Sequence, residues 1–212
     1  QSSAALCINS FAPMKEKMRE ARFLNETHFS QARFEYKLPT GLGGTPPNLD
    51  FYLENSSHII GVESKFLEIL DSKRQKLDAY VREDNAKILQ FYLPDGFMEN
   101  VIQFYQRKQD LYHFDFSQMI KHTIGLLKRA QFEKKVPILL YIYWTPEDDQ
   151  VTPQVYSQHL LELREFQSII KPYMDFRVMK YEELWSDCHV AKTYARTLPK
   201  ITDKYRFSVK EL

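Results

Sequence analysis

The segment Pro46–Phe66, PPNLDFYLENSSHIIGVESKF, decides how the rest of the chain is read. Two apolar runs, Leu49 to Leu53 and Ile59 to Phe66, flank the polar stretch ENSSH, a pattern that predicts a β-hairpin. Acids interrupt both runs. Side chains at i and i+2 share a strand face, so Glu63 and Lys65 project together while Val62, Ser64 and Phe66 point the other way. A turn centred on Ser56 and Ser57 sets Asp50 across from Glu63, whereas an odd loop length sets it against Val62 or Ser64. Facing Cβ atoms lie about 4.5–5.5 Å apart, close enough for two carboxylates to repel unless something positive sits between them. The bland reading is a solvent-facing ion pair on an exposed sheet. Against it, the surrounding Ile59, Ile60 and Val62 predict an interior strand, where acids and lysines are rarely left unpaired. Two hard oxygen ligands suit Mg²⁺ with open places for water and a phosphate oxygen, and a nearby lysine can orient that water or help deprotonate it.

Composition sets the outer bounds. The chain has 212 residues with 29 basic and 28 acidic side chains, so its charge of +1 advertises no anionic partner and any nucleic-acid surface must be local. The two cysteines, Cys7 and Cys188, form no CxxC pair, which excludes a disulfide framework and a cysteine zinc site on spacing and favours a reducing, cytoplasmic setting. No apolar run reaches the roughly 18 residues of a membrane span, and Asn25 and Asn55 read as chance glycosylation matches.

Working outward, residues 4–24 predict one or two short amphipathic helices broken at Pro13, and HFSQARFEYKLPT a first strand before a glycine-rich turn. The hairpin is followed by a charged, aromatic-rich helical insertion over about 71–112, whose rings are read as packing before base stacking. A helix over 117–130 comes next, with Ser117 expected as its N-cap, then a buried strand from Val136 to Trp144, a helix ending at Pro172, and a last strand DFRVMKY. The segment 191–212 is basic. The order predicts a single α/β domain over 1–212 with a mixed central sheet.

With acids on adjacent strands, Asp50 followed by Glu63-Ser64-Lys65 resembles the PD-(D/E)XK nuclease superfamily, the restriction-endonuclease-like fold, whose core runs α-β-β-β-α-β. The resemblance covers most of residues 1–146, and Pro47 departs from the pattern by standing three residues before Asp50. It implies a Mg²⁺-dependent deoxyribonuclease, Mn²⁺ substituting, with Asp50, Glu63 and the Ser64 carbonyl as metal ligands and Lys65 positioning the attacking water. Glu35, and more weakly Glu16 or Glu20, are candidates for a further ligand. Gln118 and His122, at i and i+4 on one helical face, would brace the lysine and a phosphate. Lys192, Arg196 and Lys200 would track a DNA backbone, and a homodimer would go with double-strand cutting. Glu68 falls off the shared face of Glu63 and Lys65 and is expected at the periphery. The rival functions are a non-cleaving nucleic-acid-binding or assembly module on the same fold, and a protein-interaction domain in which the motif is a surface ion-pair cluster.

Overall fold

A computed structural model describes residues 2–108, 111–146, 153–187 and 197–206. Helix α1 (Ser3–Glu16) precedes β1 (Gln31–Lys37), β2 (Asn48–Glu54) and β3 (His58–Lys65). The insertion carries α2 (Asp78–Val81), α3 (Glu83–Gln90) and α4 (Phe97–Arg107) before α5 (Phe116–Glu133). Then come β4 (Val136–Tyr143), α6 (Pro153–Ile170), β5 (Asp175–Lys180), α7 (Tyr181–Ser186) and α8 (Leu198–Tyr205). Among the described residues five strands make one sheet in the order β1-β2-β3-β4-β5. The first three pair antiparallel, and β3, β4 and β5 run parallel. This α/β architecture is compatible with the restriction-endonuclease-like core expected from the motif. Among the described residues no helix is long and apolar enough to cross a membrane.

The sheet divides two cores. One face carries α5, α6 and the insertion over Tyr52, Leu139 and Tyr141. The other carries α1, α7 and α8 over Phe51, Leu53, Val62, Leu140 and Ile142. This is what alternation dictates for strands covered on both sides, and the near-continuous apolar run of β4 follows from it. Helix α1 continues past Pro13 to Glu16, where the sequence suggested a break, and buries Leu6, Phe11 and Met14. The rings between Phe91 and Phe116 are mainly packing groups, as expected: Phe97, Phe104, Phe114 and Phe116 are fully buried, while Phe91 stands 86% exposed.

The hairpin has the register that a turn on Ser56 and Ser57 requires, with Phe51 facing Val62 and Glu54 facing Ile59. Asn55 builds the turn, accepting from the amides of Ser57 and His58. The β1–β2 ladder is continuous except at one place, where Glu35 would face Asp50. There Glu35 takes a left-handed φ of 52° and the strands exchange faces. Phe34 and Phe51 pack beneath α1, whereas Tyr36 and Leu49, two residues along, belong to the core beneath α5. The exchange frees Asp50 from cross-strand pairing.

Candidate active site

Strand β3 is sandwiched between β2 and β4, so Glu63 and Lys65 lie in the interior, 1% and 7% exposed. Charges persist there only when paired and hydrogen-bonded. Lys65 Nζ lies 2.6 Å from Glu63 Oε1 and donates to Gln118 Oε1 at 2.7 Å. The other carboxylate oxygen of Glu63 faces His122 Nε2 at 2.9 Å, an electrostatic contact without the alignment of a hydrogen bond. Gln118 and His122 come from adjacent turns of α5, which is capped by Asp115, whose Oδ1 accepts from the Gln118 amide. The cap is therefore not Ser117 as expected; the Ser117 hydroxyl accepts from the Lys76 amide instead.

These contacts fix the charge states. Burial pushes the Glu63 carboxyl up, but Lys65 and His122 outweigh it and hold the pKa at about 2. Burial also disfavours the Lys65 ammonium, and the Glu63 carboxylate overrides that and raises its pKa above the ordinary lysine value. Lys65 is thus a fixed cationic donor rather than a ready proton acceptor, which narrows the role foreseen for it to orienting water and countering charge on phosphate.

Asp50 is different. Its Oδ2 accepts from the Ser64 amide at 2.7 Å, taking the place of a cross-strand carbonyl. Burial and the Glu63 carboxylate push its pKa up to about 8, and among the described residues no basic side chain forms an ion pair with it. The Ser64 carbonyl points to the same edge of β3: the next carbonyl, that of Lys65, is taken by Trp144 beyond β4, and successive residues alternate between the two edges. Asp50 without an ion pair, the Glu63 carboxylate and the Ser64 main-chain carbonyl are hard oxygen donors of the kind a divalent cation takes. Among the described residues no group of three or more His, Cys, Asp or Glu side chains gathers as a metal site, so such a cation would rest on two carboxylates and main-chain oxygen.

Few of the other expected residues come near this centre. Glu35 is exposed, and its carboxylate accepts from Asn48 Nδ2 beside the break in the ladder. Glu16 lies exposed ~20 Å along α1 from Ser3, whose carbonyl accepts from the Ser64 hydroxyl, and Glu20 is exposed beyond the helix. The structure brings neither to the site. Glu68 accepts from the Phe66 amide and shapes the exit from β3. His122, foreseen against a phosphate, is 1% exposed and turned onto Glu63. Lys200 is exposed on α8, on the opposite side of the sheet from α5, and Lys192 and Arg196 lie outside the described residues.

A cleft of about 790 Å³ opens onto Gln118 and His122, walled by Asn48, Lys73, Arg74, Lys76 and Lys121. A second cleft, about 530 Å³ between Thr145, Trp185 and α8, lies across the sheet and contains no comparable acid–lysine set. A family described as Restriction Endonuclease associating with ARP, REase-ARP, has a model that matches residues 1–206. The chain belongs to that family. No curated protein and no solved structure matches it. In this REase-ARP chain the sequence reading missed the cations of 73–76, which the insertion folds back beside Gln118. The string Lys73-Arg74-Gln75-Lys76 was the available signal, passed over as part of a charged helical stretch.

Proposed function

We propose that the protein is a metal-dependent DNA endonuclease of the PD-(D/E)XK kind, hydrolysing phosphodiester bonds. The observation that carries this reading is the buried Glu63–Lys65–Gln118 set beside an Asp50 carboxyl that forms no ion pair among the described residues and is pushed toward its neutral form. The family's description as a restriction endonuclease supports DNA as substrate. Asp50, Glu63 and the Ser64 carbonyl would hold Mg²⁺ or Mn²⁺, which supplies a more acidic water and neutralises charge on a phosphate oxygen.

The chain's own groups do the positioning. His122 and Lys65 fix the two oxygens of Glu63, leaving further lone pairs for ligation. Gln118 fixes Lys65, whose one remaining ammonium proton is free to orient the attacking water, while its charge stabilises the developing phosphorane. One P–O ester bond breaks as the water oxygen bonds to phosphorus; the water gives up its proton to solvent and the departing sugar oxygen takes one from solvent to leave as the alcohol. Cutting both strands of a duplex would use two such sites, and a homodimer is part of the same reading.

The test is cleavage of plasmid and single-stranded DNA with Mg²⁺ or Mn²⁺, with EDTA as control. Asp50→Asn and Lys65→Gln are each expected to lower the rate on the order of 100-fold or more. Gln is chosen over Ala because it keeps a hydrogen-bond donor for the buried Glu63 carboxylate; either change removes the counter-charge, at a cost of ~3–5 kcal/mol in stability, so melting is measured beside cleavage. Undiminished cutting by both variants would sink the assignment.

A further inference from the structure

The turn 73–76 is held in place by a buried side chain. Gln75, 6% exposed, donates to the carbonyls of Lys73 and Phe114 at 3.2 Å and accepts from the Ser117 amide at 2.8 Å. Lys73 also exchanges main-chain hydrogen bonds with Tyr112. These bonds tie the turn to the start of α5, the helix that presents Gln118 to Lys65.

On that frame stand Lys73, Arg74 and Lys76, with Lys121 from the next turn of α5 lying 5.7 Å from the Tyr80 ring. Some cations elsewhere are matched, Lys87, Arg107, Arg129, Lys135 and Arg177 each pairing with an acid. Among the described residues none of the four cleft cations forms an ion pair. The acid in the cleft, Asp115, is engaged with the Gln118 amide. In a chain of nearly balanced charge, four cations without an ion pair thus line one wall beside the acid–lysine set.

We propose that Lys73, Arg74, Lys76 and Lys121 form the track that holds the phosphodiester backbone of a DNA strand and leads it to Lys65 and Gln118. The choice of DNA rests on the nuclease reading; the track itself rests on the fixed, unmatched cations. Because Gln75 fixes the turn before any ligand arrives, little ordering entropy is lost on binding. This places the backbone contact on the insertion, across the sheet from Lys200.

Fluorescence anisotropy of a labelled DNA duplex and a labelled single strand, titrated with salt in EDTA, tests it without requiring cleavage. Each of Lys73→Gln, Arg74→Gln and Lys76→Gln is expected to lower the slope of log Kd against log salt by about 1, and the triple variant to bind about tenfold weaker or worse. Lys200→Gln should bind as the parent does, and unchanged melting temperatures would show that the variants are folded. Parental affinity and salt slope in the triple variant, or no DNA binding by the parent, would overturn the track. A parent that binds through these residues but never cuts would instead refute the nuclease reading and leave the track standing.

Discussion

Asp50 bears the electrostatic cost of the site. With its pKa pushed from 3.8 to about 8, the folded metal-free protein prefers the neutral acid. Its folded pKa lies above the unfolded one, so stability is lost progressively as pH rises from about 4 to about 8 and changes little beyond. Asp50→Asn should therefore melt at nearly the parental temperature at pH 4 and higher than the parent at pH 8, by ~2 kcal/mol, or ~4–8 °C. Added Mg²⁺ should reverse that order by stabilising only the parent. A variant less stable than the parent at pH 8 in EDTA would contradict the partly buried carboxyl without an ion pair. The chemical members of the site were legible because strand periodicity alone puts Glu63 with Lys65, and helix periodicity puts Gln118 with His122. Their partners were not: that His122 turns onto Glu63 rather than outward depends on how close α5 lies to β3, which no spacing within α5 encodes.

That closeness is set by glycine. A Cβ on Gly125 of α5 would lie 2.6 Å from Leu38 Cβ and 3.0 Å from its carbonyl oxygen, so the helix rests directly on the chain leaving β1. Alanine is a better helix former by ~1 kcal/mol, yet overpacking against backbone outweighs it. Gly125→Ala should destabilise by ~1–3 kcal/mol and also slow cleavage, because α5 carries Gln118 and His122 away from β3. Gly43→Ala, with nothing within 4 Å of the new methyl, is the neutral comparison in both melting and cleavage. The hairpin register could be read in advance because a turn on Ser56 and Ser57 fixes it. The face exchange could not: a left-handed Glu35 leaves no mark in sequence, where glycine or asparagine would have announced it.

Across the molecule, the insertion and α5 occupy the single connection from β3 to β4, so the cation-bearing turn and the Gln118 and His122 partners of the acid–lysine pair are carried by one crossover. The joint between them is Gln75. Gln75→Leu should leave the Phe114 carbonyl and Ser117 amide without their partner, lowering stability by ~1–3 kcal/mol, and should weaken DNA binding as the turn loosens. Melting and anisotropy together check it, and unchanged values in both would show the joint to be idle. Element order followed from alternating apolar patterns, whereas the return of 73–76 to Gln118 is a tertiary contact made across more than 40 positions, beyond any local signal. The kink at Glu35 also matters for how copies of this chain meet. Strand β1 is an outer strand of the sheet, with Arg33, Glu35 and Lys37 exposed along it. A neighbour adding a strand there would have to match a reversed residue and accept three charged side chains, so the edge resists templated growth into aggregates. The distortion that takes Asp50 out of the β1–β2 ladder thereby also hinders the sheet from extending beyond its own chain.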